Sequence, residues 1–354
     1  MVKLAINRTI LYVENDANAP AHLDSGTRLN EFIIDRLLST GGFGQVFEGR
    51  VIRTNQPIAI KVESTSAKVQ LLFNETSCLR SFNQAYNSLG LTQQAPFLKY
   101  YGYGVVNGIR FLAMEKCGEN LRDLKATTAL NRFSIPTSLW IFYKMITALE
   151  MMHKIGWLHR DVKPANFCVG LHDKHSLYTL DFGMSRCYVA EDGNLKPKKV
   201  NAPFNGTLRY VSLNIHRRQD ASRWDDIWSA FYIAVENMVG FLPWRRAGDV
   251  NAVGDIKSRS DLTQLKYGRE LYQPKSLTII HSYLNASLSD DIYFYRQPPY
   301  QVFLAEIKSD LQSRQYSLDT VPLDWNQPKC APAYYYNTAP AANFNQGDRS
   351  VRFY

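Results

Sequence analysis

A chain of 354 residues with 45% apolar content can bury a sizeable core as one large domain or two medium ones. Its formal charge of +9 favours acidic partners (nucleic acid, anionic lipid, acidic or phosphorylated protein) or makes a basic solvated surface. Five cysteines without a CxxC pair argue against a disulfide framework; with no bilayer-length apolar run and no signal-peptide pattern, a soluble chain of the cytoplasm, with the nucleus as a second compartment, is expected.

Residues 1–28 are mixed and polar, broken by Asn15-Asp16-Ala17-Asn18-Ala19-Pro20, and read as an N-terminal extension. Three alternating runs follow, Glu31–Leu38, Gln45–Ile52 and Pro57–Glu63, separated by Gly or Asn-Gln turns. They predict an antiparallel meander. A polar helix is expected over about Ala67–Phe82, then strands over Leu98–Gly104 and Gly108–Met114. Beyond these the pattern turns helical. Pro136-Thr137-Ser138 can start a helix. Leu139, Phe142, Ile146, Leu149 and His153 fall on one stripe of it, and Gly156 suits its end. Asp226–Val239 is apolar on nearly every face and belongs inside a core. Strands first and helices after point to an α+β, two-lobed body. The last stretch, 327–354, is rich in Ala, Pro, Asn and Tyr without periodicity, and reads as a flexible tail.

Several segments carry chemistry. Ser39-Thr40-Gly41-Gly42-Phe43-Gly44-Gln45-Val46 joins the first two strands, and its glycines let backbone N–H groups approach a phosphate. Lys61, in Ala59-Ile60-Lys61-Val62, is a strand lysine that needs an anionic partner, and Glu75 of the next helix supplies a carboxylate. In His159-Arg160-Asp161-Val162-Lys163-Pro164-Ala165-Asn166, Asp161 can accept a hydroxyl proton and Lys163 can neutralise transferred charge. Asn166, with Asp181 of Asp181-Phe182-Gly183, offers hard oxygen ligands of the kind Mg²⁺ takes. Each residue alone has a plain alternative: a turn, a loop cap, a core histidine or a surface charge. Their order and spacing together do not. Cys168, His172 and His175 lack a fourth ligand at a zinc spacing. No zinc-finger, RNP or basic-zipper pattern supports specific nucleic-acid binding.

Over about residues 30–326 the sequence resembles the protein kinase family, and in finer detail the casein kinase 1 group and its tau-tubulin kinase branch. The finer likeness lies in Ala59-Ile60-Lys61-Val62-Glu63-Ser64, in Gly206-Thr207-Leu208-Arg209-Tyr210-Val211-Ser212-Leu213-Asn214-Ile215-His216, in Trp224-Asp225-Asp226-Ile227-Trp228-Ser229, in Gly240-Phe241-Leu242-Pro243-Trp244-Arg245 and in Pro322-Leu323-Asp324-Trp325-Asn326. The resemblance implies a bilobal eukaryotic protein kinase fold over 29–326, with an N-lobe to about 114, a hinge at 115–118 and a C-lobe at 119–326. It implies ATP and Mg²⁺ as cofactors and Ser or Thr of proteins as acceptors, acidic or already phosphorylated ones among them, for a monomeric enzyme. By position, Ser39, Gly41, Gly42, Phe43, Gly44 and Val46 would roof the nucleotide. Ala59, Met114, Glu115, Cys117 and Cys168 would surround adenine. Lys61 would hold phosphates beside Glu75, Asp161 and Lys163 would serve transfer, and Asn166 and Asp181 would hold the metal. Asp226 would brace the catalytic loop. Three departures stand out: Ser39 replaces the first glycine of the loop, Cys168 stands where the group has an aliphatic residue under adenine, and Gly248 stands about where the group has a lysine. Ser39 leaves a catalytically silent scaffold of the same fold as the alternative. The basic run Arg186, Lys196, Lys198, Lys199 and Arg209, with Arg217, Arg218, Arg245 and Arg246 nearby, suggests an anion-binding patch or a solvated face.

Overall fold

The computed structural model describes residues 23–326 apart from 42–43, 89–94, 129 and 268–272. The tail, most of the N-terminal extension and the two loop residues Gly42 and Phe43 therefore lie outside the described residues.

The first part is a six-stranded antiparallel sheet of β1 (Arg28–Leu29), β2 (Phe32–Gly41), β3 (Gly44–Val51), β4 (Pro57–Ser64), β5 (Tyr100–Val106) and β6 (Ile109–Glu115), in the order β1-β2-β3-β4-β6-β5. Strand alternation decides what each face carries. Ile58, Ile60 and Val62 of β4 are buried with Ile34, Phe47, Phe111 and Ala113 in one cluster. Ala59 and Lys61 therefore point the other way. In register with Ala59 lie Glu48 and Met114; in register with Lys61 lie Val46 and Leu112.

Helix α1 runs Leu72–Ser88, several residues later than the sequence pattern suggested. The buried Glu63 carboxylate accepts the Leu71 N–H at 2.8 Å and holds the preceding segment out of the helix. At the other end Asn83 extends the helix, its amide bonded to Leu98 O at 3.2 Å and to Tyr100 N–H at 3.1 Å.

The second part is mainly helical: α2 (Leu121–Ala126), α3 (Ile135–Lys154), α4 (Leu213–His216), α5 (Arg223–Val239), α6 (Val250–Arg259), α7 (Lys275–Ser287), α8 (Ile292–Tyr295) and α9 (Tyr300–Ser313). Short pairings β7 (Trp157–Leu158) with β10 (Arg186–Cys187), and β8 (Phe167–Val169) with β9 (Leu177–Thr179), shape the loops between them. Ser134 caps α3, its Oγ accepting the Thr137 N–H at 3.3 Å, and Gly156 follows its end at φ +92°. All five residues of the predicted α3 stripe are buried. Every residue of α5 is buried. This helix starts three residues before the expected Asp226 because Ser222 and Asp225 form a reciprocal capping box, and it stops at Gly240, φ +93°. Helices α3, α5, α7 and α9 pack around one core that includes Trp140, Phe142, Phe231, Phe303 and Ile307.

Candidate active site

Three charges meet at the edge of the sheet. Lys61 Nζ lies 2.6 Å from Glu75 Oε2 of α1 and 2.9 Å from Asp181 Oδ1. Burial alone would lower the Lys61 pKa, but the Asp181 and Glu75 carboxylates outweigh it and hold the pKa well above that of an ordinary lysine. Burial likewise pushes Asp181 up, yet Lys61, aided by Lys163, brings it down to about 2. Glu75 ends above its usual value because its desolvation exceeds what Lys61 returns.

Asp181 and Arg160 adopt left-handed backbone, φ +61° and +65°, which side chains other than Gly and Asn rarely take. Both are held from outside. Asp226 Oδ1 accepts the Arg160 N–H at 2.8 Å, while Oδ2 accepts the His159 N–H at 2.8 Å and bonds His153 Nε2 at 2.9 Å. Burial opposes the Asp226 charge, but the His153 bond and the His159 contacts outweigh it and lower its pKa. Asn74, one residue before Glu75, points its Nδ2 at the carbonyls of Phe182, Gly183 and Ser185 at 3.1, 2.9 and 2.8 Å. The Phe182 ring packs against Phe82, Phe97 and His159. Sheet, α1 and catalytic loop are thus tied to the Asp181 turn by a few named contacts.

Asp161 lies in a second cluster. Lys163 Nζ donates to its Oδ2 at 2.5 Å and Thr207 Oγ1 donates to its Oδ1 at 2.6 Å. Asn166 Nδ2 donates to Asp161 O at 2.9 Å, and the Leu180 N–H donates to Asn166 O at 2.8 Å, which joins this cluster to the residue before Asp181. His159 Nε2 donates to Leu180 O at 3.2 Å, so its Nδ1 accepts the Asp161 N–H at 3.3 Å. Asn166 orients its amide by donating through nitrogen, and its backbone is tied to the residue before the low-pKa Asp181 carboxylate. This hard, sparse donor set suits Mg²⁺ completed by phosphate oxygens.

Val46, Ala59 and Met114 fall on the same sheet face as Lys61 by register. Below them Cys168 is buried with Leu98 and Tyr178, and Met114, Cys117 and Leu180 pack on that cluster. The Cys168 thiol lowers the Cys117 pKa by hydrogen bonding, while burial pushes Cys168 up. Glu115 is anchored to the approach to β5: its N–H donates to Lys99 O at 2.9 Å and its carboxylate accepts the Lys99 N–H at 3.1 Å. Ser39 and Gly41 lie exposed along β2, opposite Val46 and Gly44. Ser39 has no left-handed φ, so its strand backbone makes no demand for glycine. Gly44 does, at φ +136°, with a Cβ that would stand 2.2 Å from Val62 O.

The basic run is not one patch. Arg186 pairs with Asp220 at 2.6 Å, Lys198 with Asp291 at 2.6 Å and Arg209 with Glu236 at 3.1 Å. Arg160, Arg186 and Lys199 instead line one cavity with Asn205, Gln219 and Asp220. Arg160 spends its Nε on Met184 O at 2.7 Å. Thr207, Asn74 and His153 were missed as individual site residues by the sequence reading. Gly206 carried the signal for Thr207: its φ is +99° and a Cβ there would lie 2.6 Å from Arg160 O, so this segment must press on the catalytic loop.

The family description "Protein kinase domain" matches residues 32–309. A "Probable serine/threonine-protein kinase" of Dictyostelium discoideum is 33% identical over 291 residues, 81% of this chain and 55% of the relative. A "Putative casein kinase I" of Caenorhabditis elegans is 33% identical over 231 residues, 65% of this chain and 66% of the relative. "Serine/threonine-protein kinase spe-6" of the same organism is 31% identical over 235 residues, 65% of this chain and 60% of the relative. The matches thus span between about half and two thirds of these relatives' own length. With the bilobal architecture and the extent of the family match, the chain belongs to the protein kinase family.

Proposed function

We propose that this chain is an ATP-dependent serine/threonine protein kinase of the casein kinase 1 group, close to its tau-tubulin branch, acting in the cytoplasm. The observation that carries the reading is the joined pair of clusters: Lys61 between Glu75 and Asp181, and Asp161 held by Lys163 and Thr207. Phosphoryl transfer asks the protein mainly for alignment and for positive charge where negative charge gathers. Lys61 fixes the phosphates. Asp161 orients the acceptor hydroxyl and takes its proton; Lys163 steadies the group in transit. Bound Mg²⁺, held by Asp181 and Asn166, would neutralise phosphate charge. The ionised state of Asp181 at neutral pH fits that task.

Removing one such electrostatic contact typically costs a few hundredfold in rate, about 3–4 kcal/mol of barrier. Lys61→Met and Asp181→Asn are each expected to lose at least about a hundredfold in transfer of labelled phosphate to casein or tubulin. Unchanged rates in both variants overturn the assignment. Binding of Mg-ATP with no transfer by the unaltered chain leaves a scaffold instead.

The acceptors are acidic or already phosphorylated. The reading rests on the Arg160, Arg186 and Lys199 cavity beside the catalytic loop, whose lining also carries Asp220, paired with Arg186, and Asp225 and Asp226, whose oxygens are taken by Ser212, Ser222, His153 and the His159 and Arg160 N–H groups. Peptides with acidic or phosphorylated residues near the acceptor are expected to beat neutral ones by about tenfold, the worth of one charge-assisted hydrogen bond between opposite charges. Lys199→Ala is expected to narrow that preference, and equal rates on all peptides rule it out.

A further inference from the structure

Helix α6 is largely exposed, yet its Lys257 is only 5% accessible. No carboxylate pairs with it among the described residues. Its Nζ donates to Val211 O at 2.6 Å and Leu208 O at 3.0 Å, and it lies 5.2 Å from the ring centres of both Tyr232 and Trp244. An ammonium stripped of water without a counter-ion is expensive to bury, so a helix that needed only packing there would do better with an apolar side chain. The carbonyls and ring faces are what this position gains from the charge.

The carbonyls belong to the Thr207–Ser212 segment, which forms no regular element until α4 begins at Leu213. Its fixing is nearly complete. Thr207 O accepts the N–H groups of Tyr210 and Val211 at 2.8 and 3.1 Å. Leu208 O and Val211 O go to Lys257, and Arg209 O accepts from Trp244 Nε1 at 2.8 Å. The opposite side of the same segment reaches Asp161 through Thr207 Oγ1. We propose that Lys257 is a positioning residue for the protein acceptor: by gripping the two carbonyls it holds Thr207 against Asp161 and shapes the surface that receives the acceptor segment. Lys257 touches neither nucleotide nor acceptor. The inference rests on the kinase reading above only for its kinetic consequence; the grip itself does not.

The test uses the full chain with Lys257→Met, Thr207→Val and both together. For Lys257→Met, kcat/KM for a Ser-containing peptide falls at least tenfold while the KM for ATP and the thermal shift given by Mg-ATP stay within twofold of the parent. If Lys257 acts through Thr207, the double variant loses little beyond Thr207→Val alone. Independent, multiplying losses overturn the proposal, as does an equal loss of ATP affinity. Hydrogen exchange supplies a readout free of catalysis. The Tyr210 and Val211 amides exchange at least tenfold faster in Lys257→Met, while the α5 amides do not change. Unchanged exchange at both amides refutes the grip even if the parent chain transfers no phosphate, and that lack of transfer alone refutes the kinase reading. Lys257→Gln, which takes away the ammonium and shortens the reach to the two carbonyls but keeps a polar end, serves if Lys257→Met does not fold; it too loosens Tyr210 and Val211, and unchanged exchange there counts against the grip.

Discussion

Ser39 and Gly44 show how differently two positions of one loop constrain the chain. Ser39 stands where the family has glycine, and by motif alone it throws the phosphate roof into doubt. Its backbone is that of an ordinary strand residue opposite Val46, and its side chain is exposed. Gly44 turns at φ +136° against Val62 O. Ser39→Gly is expected to leave the KM for ATP within twofold. Gly44→Ala must both take a strained φ and push a backbone carbonyl aside, a strain of about 1–3 kcal/mol or more. It is expected to raise the KM for ATP at least about tenfold, since a 1.4 kcal/mol loss already amounts to tenfold. Steady-state kinetics on the two variants separate the roles, and a larger effect from Ser39→Gly reverses them.

Helix α5 marks what an element reveals from sequence and what it conceals. Its all-round apolar pattern placed it in the core, and its first-turn Asp226 was expected to brace the catalytic loop, which the bonds to His159 and Arg160 do. The pattern says nothing of Glu236, a charge in the last turns of a fully buried helix. Its partners come from afar: Lys125 of α2 at 2.7 Å, Tyr210 OH at 2.8 Å and Arg209. A pair separated by 111 residues leaves no spacing signal. For the same reason α4, α6, α7 and α9 were not read as helices from the sequence: their apolar faces answer to neighbours rather than to a strict period. Strands β2 to β6 were legible from their alternation, and Lys61, Asp161 and Asp181 from short motifs with local geometry; the short strands β1 and β7 to β10 were not. Asn74 and Thr207 were not, because their hydrogen bonds close across elements. Removing one partner of a buried pair leaves the other charged and dry, a loss of about 3–5 kcal/mol. Glu236→Leu should lower the urea midpoint accordingly, with Lys125→Met/Glu236→Leu recovering much of the loss. A double variant no better than Glu236→Leu alone would assign the effect to Arg209 and Tyr210.

At the scale of the whole molecule, stability against acid sums the groups whose proton affinity changes on folding. Three histidines, His153, His216 and His281, work in one direction, each with its pKa lowered by burial. His216 Nδ1 donates to Val250 O at 3.0 Å, and its Nε2 is buried without a partner. Burial, with Lys257 and Arg218 nearby, lowers its pKa from 6.5 to about 4. His153, between Asp226 and Tyr300, is also lowered by burial. Below pH 6.5 the unfolded chain takes up protons that the folded His216 refuses until about pH 4, so the unfolded state binds more protons in that window and stability falls as pH drops through it. Asp181 has a depressed folded pKa of about 2 against 3.8, so its contribution is intact above 3.8 and disappears only between 3.8 and 2. The two windows do not overlap; Glu75 and Asp225, whose folded pKa values are raised by burial, work in the opposite sense as pH drops, so the histidine part is read from a histidine variant. The melting temperature is expected to fall between pH 7 and pH 5. His216→Phe, which keeps an aromatic ring and cannot titrate, should start lower at pH 7 for want of the Val250 bond and then fall less over the same interval. Identical slopes for the two proteins would remove His216 from the account and leave His153 and His281 as the groups to replace next.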